Sequence, residues 1–237
     1  MRKPIAILFF AVILGVTPAI GGHKLTAEDR KVLDNATDVL DTLTSAPDDA
    51  IPEELLERSE CVMVFPNVTK GAFIVGGRYG RGAALCRDES GAFGAPSFFS
   101  MGGASIGWQW GGQQTDFVLL IMNKDGMKNL LEDRFSLGGN ASAAAGPVGR
   151  TAEAATDLQL QAQILTWSRS QGLFVGASLE GAVIQQSEDA NSRLYGREVS
   201  AASILTGEVS RVPEAATEFV SVTRRVASRP SEDASAR

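Results

Sequence analysis

The stretch TKGAFIVGGRYGRGAALCR, residues 69–87, decides how the rest of the chain is read. It holds five glycines, four cations (Lys70, Arg78, Arg81 and Arg87) and no acid. The apolar runs GAFIV and GAALCR flank the glycines, so the segment reads as strands whose backbones approach closely in a strongly curved sheet. The chain as a whole is acidic, with 28 Asp and Glu against 22 Lys and Arg and a formal charge of −6 over 237 residues. The block upstream, Thr26 to Glu60, carries 11 acids and 3 bases, a balance of −8, whereas Cys61 to Arg87 stands at +4. So sharp a change of sign allows two readings. Either the cations meet an external anion, since bare glycine N–H groups and forked guanidinium donors suit phosphate oxygens, or they pair with the acidic segment before them. Tyr79, between Arg78 and Arg81, is a residue that favours the membrane headgroup level.

Outward from this block the periodicity changes. Residues 25–43 place Val32, Ala36, Val39, Leu40 and Leu43 at helical spacing. Thr26 stands as the N-cap, with Glu28 and Asp29 in the first turn, where the helix dipole favours acids. Pro47 breaks that helix and Pro52 opens a second at a first helical position. Downstream, CVMVFP, GAPSFFSM, GGASIGWQWG and TDFVLLIMN read as strands, and DGMKNLLEDRF reads as a short helix with Asp125 as its cap. SLGGNASAAAGPVGR shows neither period. DLQLQAQILTWSRS alternates Leu158, Leu160, Ala162 and Ile164 with glutamines, which predicts a strand with one polar side, turning through SQG into LFVGASLEGAVI. SEDANSRLYG reads as a helix ending at Gly196, and Pro213 opens the last one; the closing ASRPSEDASAR has the composition of a disordered tail.

The first residues, MRKPIAILFFAVILGVTPAIGG, have a positive head, an apolar run from Ile5 to Val16 and small residues after it, which is how a secretory signal peptide reads; an uncleaved anchor is the alternative. The expected compartment is therefore outside the cytoplasm, periplasmic or extracellular, with a peripheral membrane position allowed. Cys61 and Cys86 are the only cysteines. In an oxidising compartment they are expected to form a disulfide, with buried free thiols as the alternative.

Catalytic signatures are weak. GASIG, residues 103–107, matches the G-x-S-x-G elbow with Ser105 at its centre, but no helix pattern follows it, and the only histidine is His23. No metal-ligand spacing, phosphate loop or dinucleotide fingerprint occurs, so neither an enzyme nor a cofactor is expected. The acidity also argues against nucleic acid as a partner.

The run from Phe65 to Gly111, followed by TDFVLLIMN, LGGNASAAAGPVGR, SRSQGLFVGASLEG and NSRLYG, resembles the SYLF domain of eukaryotic membrane-trafficking and cortical-actin adaptors and of exported bacterial proteins. The resemblance covers roughly Pro52 to Val209. It implies binding rather than catalysis, since eukaryotic members bind acidic phospholipids and some bind actin. The family's basic surface falls on Lys70, Arg78 and Arg81. Gly139, Asn140, Gly146 and Pro147 are implied as structural positions, and Arg150 and Glu180 as partners in a partly buried ion pair. In one respect the chain departs from the pattern: the helices before the domain are acidic here.

The expected architecture is α+β: a strongly twisted, Gly-rich, mostly antiparallel sheet approaching a barrel, with N-terminal helices and short covering helices. The divisions are residues 1–21 as signal peptide, 22–60 as acidic helices, 61–210 as SYLF-like β-rich core, and 211–237 as C-terminal helix and tail. The expected function is non-enzymatic binding of anionic phospholipid or lipid A phosphates at the envelope through Lys70, Arg78, Tyr79, Arg81 and Arg87. The alternative is a structural or interaction module with an envelope protein as partner.

Overall fold

The computed structural model describes residues 24–45, 51–71, 75–106, 113–148, 161–170 and 173–228. The proposed signal segment, Arg150 and the residues beyond 228 lie outside them. The architecture is α+β, with a curled sheet that forms a half-barrel. The described residues form nine strands: β1 (Cys61–Gly71), β2 (Val75–Cys86), β3 (Ser97–Ile106), β4 (Gln113–Ile121), β5 (Arg134–Ser136), β6 (Ala143–Ala145), β7 (Ile164–Ser170), β8 (Leu173–Gly176) and β9 (Val183–Gln186). Their order is β5-β9-β3-β2-β1-β4-β7-β6, with β8 also on β7; every pairing is antiparallel except β6 with β7.

Both faces of the sheet are covered, which explains the unbroken apolar runs of the sequence. Along β1, Val62 and Val64 join one core with Leu85, Phe98, Val118, Leu120 and Trp167. Cys61, Met63 and Phe65 join the other, with Phe99, Met101, Leu119 and Ile121. Helix α1 (Ala27–Ser45), helix α2 (Glu53–Arg58) and helix α6 (Thr217–Val226) close the first face through Leu33, Leu40, Leu55, Phe219 and Val222. Helix α3 (Lys124–Leu131) and helix α5 (Ala201–Leu205) contribute Leu130 and Leu205 to the second. Helix α4 (Glu188–Tyr195) ends at Gly196, whose φ of 69° places it in the left-handed cap position.

Several local expectations change. Leu33 joins the buried stripe of α1, while Val32 lies at its margin. The cap of α3 is Asn123, whose side chain accepts from the Gly126 N–H, not Asp125. Strand β7 starts only at Ile164. Gln163 therefore belongs to no polar strand face: its Oε1 accepts from the Ser142 N–H at 2.9 Å and its own N–H donates to Ser142 Oγ, joining two loops. Leu158 and Leu160 lie outside the described residues.

Candidate functional site

Gly76, Gly77, Gly80 and Gly82 of the basic block lie inside β2, which runs beside β1 as far as Gly77 opposite Gly71. A bulge shifts the register of β1 between Val64 and Thr69, and Asn67 takes a φ of 51°, with its N–H donating to Asp116 at 2.8 Å. There the curl brings β1 close over β2. A Cβ on Gly80 would meet the Val68 side chain, and one on Gly82 would fall on the Val64 carbonyl and the Phe65 ring. Glycine is required at both positions for close approach.

Strand alternation divides the cations. Lys70 and Arg78 are direct cross-strand partners, on the face that holds Val68 and Phe117. Lys70 Nζ lies 6.0 Å from the centre of the Phe117 ring. Two like charges directly opposite repel each other. Arg78 is half-buried, its Nε is buried without a hydrogen-bond partner among the described residues, and burial lowers the pKa of its guanidinium. Tyr79 and Arg81 project from the other face, beside α1.

Arg81 is neutralised inside the fold. Its Nη2 donates to Asp29 Oδ1, Glu28 lies 4.0 Å away, and the guanidinium lies 6.0 Å from the Phe98 ring centre. Asp29 is fully buried and also accepts from Arg193 Nε at 2.7 Å and Nη2 at 3.1 Å. Burial opposes its ionisation, but the hydrogen bonds from Arg193, Arg81 and Thr26 outweigh that and hold its pKa well below the usual carboxylate range.

Arg87 is likewise internal. Its guanidinium donates to the carbonyls of Ser59 at 2.9 Å, Gly91 at 2.8 Å, Glu57 at 3.1 Å and Ala227 at 2.6 Å, and stacks 4.1 Å from the Phe93 ring centre. Neither Arg81 nor Arg87 is placed to meet an external phosphate. One is paired by a carboxylate of the leading helix; the other caps backbone oxygens. The two readings of the basic block thus fall on different residues, with Lys70 and Arg78 left for an external anion. Two further arginines, on α6, are also engaged within the fold: Arg224 donates to the Phe93 carbonyl and Arg225 pairs with Asp41.

The remaining sequence-derived positions build turns and close contacts. Asn140 Oδ1 accepts from Ser136 Oγ at 2.8 Å in the turn after β5, where Gly138 has a φ of 80° and Gly139 lies close against Ser136. Gly146 lies against the Trp167 indole, and the Pro147 carbonyl accepts the indole N–H at 2.8 Å. Glu180 is exposed and covers Gly138; its suggested partner, Arg150, is outside the described residues. Cys61 and Cys86 are opposite residues of β1 and β2, both buried and joined by a disulfide. Ser105 lies within β3 rather than on a strand-to-helix turn. Among the described residues no cluster of three His, Cys, Asp or Glu is placed to hold a metal.

Sequence reasoning missed Asp29 as an anchor and Arg193 and Arg169 altogether. Thr26 and Asp29 cap each other's N–H groups, a capping-box pattern that reads only as a helix start. Arg169 Nη2 pairs with Asp116 at 2.7 Å, and its Nη1 donates to Thr42 of α1 at 2.8 Å, fixing that helix a second time. Neither arginine carries a local pattern that reveals its partner.

The sequence model of the family described as "Las17-binding protein actin regulator", Ysc84, matches residues 102–226. The chain is 37% identical over 169 residues to LAS seventeen-binding protein 3 of Saccharomyces cerevisiae, covering 70% of this chain and 37% of that protein. It is 37% identical over 172 residues to Protein YSC84 of the same yeast, with coverages of 71% and 36%. With SH3 domain-containing YSC84-like protein 1 of Bos taurus the identity is 30% over 186 residues, with coverages of 78% and 54%. The chain therefore spans well under two thirds of the length of these relatives. By the family match and by these relatives, it belongs to the Ysc84, or SYLF-domain, family, whose description and one of whose yeast members are named for binding Las17.

Proposed function

We propose that this protein is a non-enzymatic binding module whose β1–β2 end receives anionic phospholipid headgroups at the cell envelope. The observation that carries the reading is the Lys70–Arg78 pair: two adjacent cations, one half-buried with an unpaired Nε, and no acid of the described residues bonded to either. A bound phosphate supplies both the counter-charge and the missing acceptor. Periplasmic or extracellular placement and lipid A phosphate as an alternative ligand belong to the same proposal.

Sedimentation with phosphatidylcholine vesicles, with and without phosphatidylglycerol, tests it. Binding is expected only with the anionic lipid, is weakened by salt, and falls about tenfold or more in the Lys70→Glu, Arg78→Glu double variant, since each basic group contributes about 1 kcal/mol near such a surface. Equal binding to both vesicles ends the proposal, and lipid A vesicles distinguish the second phosphate source.

A second reading, engagement of a protein, is favoured by the β8 edge. Leu173 and Val175, at alternate positions of this strand, are 54% and 53% exposed, and among the described residues β8 pairs only with β7. Such an edge suits an extended peptide added as a further strand, and LAS seventeen-binding protein 3 is named for a protein ligand. Cross-linking in native extracts should yield a partner that survives delipidation and is lost on Val175→Lys; a partner captured equally by that variant rules out this edge.

A further inference from the structure

Between α1 and the β1–β2 pair lies a groove of about 480 Å³ that is separate from the Lys70–Arg78 face. Its wall is Tyr79, 59% exposed. The cross-strand neighbour of Tyr79 on β3 is Gly102, and the next residue on its own face of β2 is Gly77, so the ring stands without flanking side chains on those sides. Around it the groove presents the carboxamides of Asn35, Asn67 and Gln114 and the hydroxyl of Thr69. No side chain of these four, nor the Tyr79 hydroxyl, makes a hydrogen bond among the described residues. The formal charges around the groove cancel, with Lys31 and Glu28 both on α1 and Arg81 bonded to Asp29.

We infer that this groove is a binding site for a neutral polyhydroxylated ligand, a saccharide. An open aromatic face takes the C–H face of a pyranose ring. Each carboxamide offers a donor and an acceptor side by side, which matches vicinal hydroxyls. The formal charges here cancel, so the groove offers a phosphate no net positive field, and a purely apolar ligand would leave the amides and hydroxyl unpaired. The inference does not depend on the headgroup reading, because the residues and the charge differ.

The test is amide chemical-shift mapping of the full chain with maltotriose and with chitotriose, accompanied by flotation with vesicles carrying a neutral galactolipid. Shifts are expected at Asn35, Asn67, Tyr79 and Gln114 with millimolar affinity. Tyr79→Ala is expected to weaken binding about tenfold, in line with the loss of one aromatic stack, while Tyr79→Trp restores it. The Lys70→Glu, Arg78→Glu variant keeps it, so the two proposals fail separately. Tyr79-dependent binding to galactolipid vesicles alone supports the site with a lipid-borne sugar as the source. No shift with either trisaccharide and no flotation, or equal affinity in Tyr79→Ala, overturns it.

Discussion

The carboxylate of Asp29, in the first turn of the first described helix, accepts from the Nε of Arg193 at 2.7 Å across 164 residues of sequence. The same carboxylate holds Arg81 of β2. One fully buried acid therefore pins α1 to the sheet and to α4. Asp29→Asn keeps the capping geometry at Thr26 but takes from Arg193 and Arg81 the buried carboxylate they share, leaving Arg81 only the exposed Glu28 at 4.0 Å. It should cost about 3 kcal/mol, at the low end for a broken buried pair because both arginines retain some contact with water. Urea denaturation checks this; a loss under about 0.5 kcal/mol, the range of ordinary surface changes, contradicts the anchoring role.

Acid unfolding follows from the same residue. The folded-state pKa of Asp29 lies below its unfolded value of about 3.9. The folded protein therefore holds fewer protons here than the unfolded one. The stabilisation is full above that unfolded value and is lost as pH falls toward the folded pKa. Stability of the wild type should drop from about pH 4 downward, and Asp29→Asn should flatten that part of the curve. Denaturation midpoints collected against pH supply the comparison.

Arg87→Lys should destabilise by more than a charge-conserving change suggests. A lysine has no planar fork with which to reach the carbonyls of Ser59, Glu57, Gly91 and Ala227 together. Buried acceptors left open cost roughly 1–3 kcal/mol each. Thermal denaturation of Arg87→Lys beside Arg225→Lys, whose ion pair is exposed, measures the difference; similar midpoints would contradict the capping role.

Glycine substitutions within the sheet should divide by position. Gly82→Ala places a methyl group on the Val64 carbonyl and should cost about 1–3 kcal/mol by overpacking. Gly102→Ala meets nothing within 4 Å and should be neutral or stabilising by up to about 1 kcal/mol, since glycine weakens a strand interior. Equal losses in equilibrium unfolding would show that close approach does not select glycine at position 82.

Arg78→Gln should raise stability while weakening binding. It removes a half-buried cation that faces Lys70 and lacks a partner for Nε. A gain of up to about 1 kcal/mol, together with reduced retention on anionic vesicles, is the signature of a site held ready for a ligand at the expense of the fold. A loss of stability would place Arg78 among the structural arginines instead.

Much of the fold was legible because local signals agreed. The α1 stripe, the Gly196 stop, the antiparallel pairing of β7 with β8 and the apolar strand runs each follow from period and turn chemistry. The limits are physical. Residues 158–163 alternate like a strand, yet Gln163 serves a loop contact with Ser142, a tertiary demand that periodicity does not encode. The site was legible as a charge anomaly, but not in its division. Two-residue alternation separates Arg78 from Tyr79 and Arg81, and only the docking of α1 decides which cation is neutralised. Arg87 looked like part of a basic surface because its partners are carbonyl oxygens, which every sequence contains.

Arg87 also reaches a carbonyl 140 positions later in the sequence, at Ala227, beside the helix that closes the same face as α1. Contacts this remote are gained late, after the loop-closure entropy of nearly the whole domain has been overcome. During translation the sheet can form while α6 is still within the ribosome, leaving its apolar face wet and open to other nascent chains. A ribosome stalled before Phe219 should therefore hold a chaperone-dependent intermediate, and emergence of α6 is the event that closes this face.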